Sequence, residues 1–100
     1  MADLKTYYLV RFNRRTGKID TTMSALGKGL IQYWGLMNTT KKSQDTVIFD
    51  EDGWITAYYR GTGDFPEVEK FKDGEGDHID TLCEGLLEAV KKGDNENGKN

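Results

Sequence analysis

Four kinds of side chain in this chain could do chemistry: one histidine, one cysteine, a large set of carboxylates and a small set of clustered cations. His78 and Cys83 are the only residues of their types. A thiol needs a nearby base to act as a nucleophile. Their separation of five residues on one helix points them to different sides, and Cys83 falls on an apolar stripe. Cys83 therefore reads as a core residue. With one histidine there is no histidine pair for zinc or iron, and Cys83 with carboxylates is a poor substitute. Gly61-Thr62-Gly63 follows a strand, as phosphate-binding loops do, but no lysine or helix start comes next and Asp64 repels phosphate. The sequence predicts no catalytic residue, no metal site and no cofactor, and so a protein that is not an enzyme.

The carboxylates carry more. Asp73, Glu75 and Asp77 stand at alternate positions, with Glu84 eleven residues after Asp73. This spacing resembles a calcium-binding EF-hand loop, which draws oxygens from its first, third, fifth and twelfth positions. The match fails where geometry demands most. The sixth position is His78 instead of glycine, and the eighth is Asp80 instead of an apolar residue. The plainer reading is a solvated turn that caps a helix. Asp50-Glu51-Asp52 reads likewise as a hairpin tip. Taken together, Glu67, Glu69, Asp73, Glu75, Asp77, Asp80, Glu84 and Glu88 could line one side of the molecule. Carboxylates on a rigid scaffold steer association with a lysine- and arginine-rich surface. They could occupy a site that normally takes a nucleic-acid backbone. In size and charge the chain resembles small acidic inhibitor proteins of phages and mobile elements, a likeness of composition that no motif supports. Trp54 and Tyr58, apolar rings with polar handles, are expected to add an aromatic patch to that partner-binding surface.

The opposite sign has its own cluster. Arg11, Arg14, Arg15 and Lys18 sit among Tyr7, Tyr8 and Phe12. Such a hairpin could hold single-stranded nucleic acid by ion pairing and stacking. The plainer reading is a charged tip that prevents aggregation of sheet edges. Phosphates would meet repulsion from the acidic remainder of the chain. Nucleic-acid binding is the alternative to a protein partner with a basic surface.

These groups need a scaffold, and Thr46–Arg60 is its centre. Val47-Ile48-Phe49 runs in, Asp50-Glu51-Asp52-Gly53 turns, and Trp54 to Tyr59 runs out. Gly53 can take the positive φ that closes the turn, and Asp50 or Asp52 can bind its amides. A type I turn with a glycine bulge would place Phe49 opposite Ile55 and Val47 opposite Ala57. Ile48, Trp54, Thr56 and Tyr58 would then share the other side. Leu4 to Asn13 alternates as a strand, Gly17 marks a turn, and Ile19 to Met23 returns as an edge. Ser24 is placed as a helix N-cap, with Leu26, Leu30, Trp34 and Met37 as the buried stripe. Three glycines oppose that helix at about 1 kcal/mol each, unless one allows close approach to the sheet. Val68 to Phe71 forms a short fifth strand. A final helix takes Asp77 as its N-cap, repeats Ile79, Leu82, Cys83, Leu86, Leu87 and Val90, and ends at Gly93.

The predicted fold is α+β: an antiparallel sheet of four to five strands with both helices on one face, in the order ββαββ(β)α. Residues 1–93 form one domain and residues 94–100 a disordered polar tail. The chain of 100 residues is 31% charged and 36% apolar, and no apolar run approaches the roughly 20 residues that cross a bilayer. One cysteine, no disulfide and no secretory leader point to the cytoplasm. Residues 1–44 hold eight Lys/Arg against two Asp/Glu, a balance of +6. Residues 45–100 hold six against fifteen, a balance of −9. Such asymmetry is a hint of charged partners. Self-association through an open strand edge or exposed aromatics is a further expectation.

Overall fold

The computed structural model describes residues 5–72 and 74–98, with side chains in the last helix described as far as Lys92. Five strands form one sheet: β1 (Thr6–Asn13), β2 (Ile19–Leu26), β3 (Gln44–Asp50), β4 (Ile55–Arg60) and β5 (Glu67–Lys70). Helix α1 (Gly29–Asn38) joins β2 to β3, and α2 (Ile79–Leu82) and α3 (Leu86–Gly98) close the chain. The strand order is β2-β1-β3-β4-β5, with every neighbouring pair antiparallel. The α+β reading and the strand count stand. Among the described residues, no helix is long and apolar enough to cross a membrane.

The placement of the helices does not follow the prediction. Tyr7, Leu9, Ile48, Ala57 and Tyr59 form one core with Ile31 of α1. Tyr8, Val10, Val47, Phe49 and Ile55 form a second core with Ile79 of α2 and Leu86 of α3. Alternate residues of a strand point to opposite faces, so α1 covers one face and α2–α3 the other. The physical reason lies in the central strands. Tyr7 to Val10 and Val47 to Phe49 are apolar at consecutive positions and buried throughout. A strand with both sides apolar has to be covered on both sides.

The central hairpin also departs from its expected register. Phe49 pairs with Ile55, as predicted, but Ile48 pairs with Ala57 and Val47 with Tyr58. Thr56 is the extra residue of a bulge, and it moves every later side chain to the opposite face. Gly53 does turn with φ +92°, and Asp50 Oδ1 accepts from the amides of Asp52 and Trp54.

Helix α1 starts at Gly29, because Ser24 and Leu26 belong to β2. It buries Ile31 and Gly35. An added Cβ at Gly35 would stand 3.0 Å from Tyr59 Cε1. Glycine thus allows the close approach that offsets its poor helix propensity. The Tyr59 hydroxyl donates to Gln32 O at 3.1 Å, and Thr39 Oγ1 donates to Gly35 O at 2.6 Å, fixing the seam.

The last helix is broken. Gly85 adopts φ +82° between α2 and α3. His78, not Asp77, caps α2, and its ring accepts from the Asp80 amide. Cys83, predicted in the core, is exposed in the break. α3 extends beyond Gly93, the expected terminator. Of the expected loose tail, 99–100 lie outside the described residues.

Candidate functional site

The outer edge of β4 has two partners. Ala57 to Arg60 pair with β5, whereas Trp54 bridges His78. The Ile55 amide donates to Asp77 O at 2.8 Å, and the Ile79 amide to Gly53 O at 2.7 Å. Between these two attachments the Phe71 amide donates to Thr56 O at 2.9 Å. Gly76 makes the approach possible, since a Cβ there would lie 2.2 Å from Ile55 O. His78 completes the clamp. Its Nδ1 accepts from Asp80, so Nε2 carries the hydrogen and donates to Asp52 O at 2.7 Å. The Trp54 ring stands edge-on to His78 at 5.0 Å.

This clamp opens a groove of about 230 Å³ beside β5, lined by Ile55, Tyr58, Glu69, Phe71, Asp77, Thr81 and Leu82. Glu69 is the register partner of Tyr58, so both face the α2 side of the sheet. Two predicted carboxylates, Glu69 and Asp77, therefore meet one predicted aromatic ring. Glu67 lies further along the β5 edge, opposite Arg60, in a hollow that Tyr58 and Glu69 also line. Glu75, Asp80, Glu84 and Glu88 are exposed, and Asp73 lies outside the described residues. Trp54, 39% exposed, does not line the groove, so the expected Trp54/Tyr58 patch is not assembled. The bulge at Thr56 separates the two rings.

Tyr58 is held from behind by a cluster that the sequence did not reveal. Its hydroxyl donates to Asp45 Oδ2 at 2.5 Å. Asp45, 2% exposed, also accepts from Arg14 Nη2 at 2.8 Å and from the Gly61 amide at 3.3 Å. Burial alone would push the Asp45 carboxyl up. The bonds from Arg14, Tyr58 and Gly61 outweigh it and hold the group below the usual carboxylate range. Burial, and then the bond to Asp45, pushes the Tyr58 phenol well above the usual tyrosine range. Gly61 is required here, because a Cβ would fall 2.0 Å from Lys41 O. An aspartate near the start of a strand, two residues before the apolar run Val47–Phe49, was the one available signal.

The basic hairpin is altered by the same contacts. Arg14 is engaged by Asp45 and by Gly61 O at 2.8 Å. Arg11 donates to Asp20 Oδ1 at 2.7 Å and to Asn38 O at 2.9 Å, and lies 5.2 Å over the Trp34 ring. Two of the four candidate nucleic-acid cations are thus tied into the fold. Arg15 and Lys18 are exposed.

A second, apolar groove of about 170 Å³ lies on the other flank of α2, between Phe12, Ile19, Leu82 and Leu86. Leu82, half exposed, lines both grooves. Among the described residues, no three His, Cys, Asp or Glu side chains converge as metal ligands. No protein-family model, curated protein or solved structure matches the chain.

Proposed function

We propose that the protein is a small, acidic, non-enzymatic binding module that docks the basic surface of another protein. The observation that carries this reading is the shared groove of Glu69, Asp77 and Tyr58. A lysine or arginine side chain entering it would meet two carboxylates and an aromatic wall, a setting for ion pairing and cation–π attraction. At about 230 Å³ the groove is smaller than the about 300–1,000 Å³ typical of small-molecule sites. It suits one side chain of a macromolecule better than a metabolite.

The neighbouring β5 adds a second means of contact. It is an edge strand of four exposed residues, able to pair with an extended segment of the partner. Glu67 and Glu69 on that edge favour a cationic segment. The likeness in size and charge to small acidic inhibitors of phages and mobile elements makes a nucleic-acid-binding protein the partner of choice. The single free cysteine suits a reducing compartment such as the cytoplasm.

The test is affinity capture from the native host, followed by titration of the recovered partner. Wild type is expected to form a stoichiometric complex that weakens as salt rises. The double variant Glu69→Gln/Asp77→Asn is expected to bind at least tenfold more weakly. A complex indifferent to both salt and the double substitution would overturn the proposal, as would failure to recover any partner.

A further inference from the structure

Helix α1 contains no charged residue in its ten positions, Gly29-Leu30-Ile31-Gln32-Tyr33-Trp34-Gly35-Leu36-Met37-Asn38. Its inner side buries Ile31 and Gly35. Its outer side presents Leu30 at 75% exposure, Tyr33 at 61% and Met37 at 46%. Spacings of three and four put these three on one line along the helix. An ordinary surface helix carries polar residues there. Beside them lies a groove of about 370 Å³ bounded by Tyr33 and Leu36 on one wall and by Val68 and Lys70 of β5 on the other. The opening has a simple cause. One helix about 10 Å across cannot cover five strands spaced about 4.8 Å apart.

We infer that this face is a homodimer interface, in which the α1 helices of two copies pack about a twofold axis. Two observations select a second copy over another occupant. The first is area. Leu30, Tyr33, Met37 and Val68, the last 41% exposed, offer on the order of 400 Å² of apolar surface. A stable interface buries about 800 Å² per partner, somewhat more than half of it apolar. These four side chains therefore supply most of the apolar area that one protomer must contribute.

The second is charge. A twofold interface brings a surface against itself, so each charge near the axis opposes its own copy. α1 has none to oppose, and the charge that bounds the groove, Lys70 on its β5 wall, faces the uncharged helix of the other copy in this arrangement and not its own equivalent. Glu67, Glu69 and Asp77 belong to the opposite side of the sheet, as the register of β5 and the groove beside α2 place them. Two copies can meet through α1 and keep those carboxylates outward. The knob of Tyr33 beside its own groove is self-complementary: the twofold sets each helix against the other copy's opening.

The test is the mass of the full chain in solution by sedimentation equilibrium across a concentration series. Wild type is expected to dimerise. Leu30→Glu and Met37→Lys are each expected to raise the dissociation constant at least tenfold, with unchanged circular dichroism. Two variants at exposed positions guard against one that fails to fold. The groove variant Glu69→Gln/Asp77→Asn is expected to remain dimeric, so loss of partner binding and loss of dimerisation are read separately. A wild-type monomer throughout the series would overturn the inference, and so would a dimer that survives both helix substitutions.

Discussion

The face of the sheet under α1 and the face under α2 and α3 are built from alternate residues of the same strands, yet they are closed by different means. Under α1 a single uncharged helix sits close, its Gly35 against Tyr59. Under α2 and α3 a broken pair is held by the His78 clamp and leaves grooves on both flanks of α2. The first solution exposes apolar surface on the helix itself, and the second exposes carboxylates around an aromatic wall on one flank of α2 and an apolar groove on the other. Covering a core and shaping a surface are thus separate tasks, and the residue parity of β1, β3 and β4 divides them.

The strongest way to break this comparison is to hollow each core in turn. Phe49→Ala, on the α2–α3 side, is expected to cost about 4 kcal/mol, and Ile48→Ala, on the α1 side, about 3 kcal/mol. Both residues are fully buried. Urea unfolding measures both. If Ile48→Ala changed stability by less than about 0.5 kcal/mol, the α1 face would not be a true core.

The Asp45 cluster sharpens the comparison through pH. Asp45→Ala removes a buried, paired carboxylate and is expected to cost about 3 kcal/mol at neutral pH. Because the folded carboxyl titrates below its unfolded value, its contribution is complete above about pH 4 and is lost as pH falls through the lower folded value. Tyr58 has the opposite sign. Its folded phenol titrates above the unfolded value, so its contribution holds below about pH 10 and is lost on further alkalinisation. Tyr58→Phe is expected to cost about 1 kcal/mol at neutral pH and to reduce the alkaline loss. Denaturation midpoints across pH decide this; a variant with wild-type pH dependence at both ends would refute the account.

The smallest effect tests the seam under α1. Gly35→Ala gains up to about 1 kcal/mol in helix propensity but forces a methyl group against Tyr59. Tyr59 is 1% exposed and tethered to Gln32, so it cannot swing away. Net destabilisation of about 1 kcal/mol is expected, and a stabilised variant would mean that the seam is looser than described.

Much of this architecture was legible from local chemistry. Consecutive apolar residues at Tyr7–Val10 and Val47–Phe49 mark strands, and Gly17 and Gly53 mark turns that do adopt positive φ. The side taken by α1 was not legible. A helix apolar nearly all round gives periodicity no phase, and the inward side was settled by the fit of Gly35 to Tyr59. Leu26, expected on that helix, is instead the last residue of β2. The apolar stripe from Ile79 to Val90 gave no sign of the break at Gly85, where the chain turns with φ +82°. The groove was half legible: its carboxylates and Tyr58 were singled out, but their company depends on the bulge at Thr56. The Asp45 cluster joins residues 31, 13 and 16 positions away, distances that local pattern cannot bridge.

The two tryptophans are divided between these layers. Trp34 rides on α1 beneath Arg11, and Trp54 stands against His78 at the start of α2. Each layer therefore carries its own intrinsic fluorophore. With Trp54→Phe or Trp34→Phe, the emission of the remaining indole would follow one layer alone, so a melt could be watched from either side of the molecule without any attached dye.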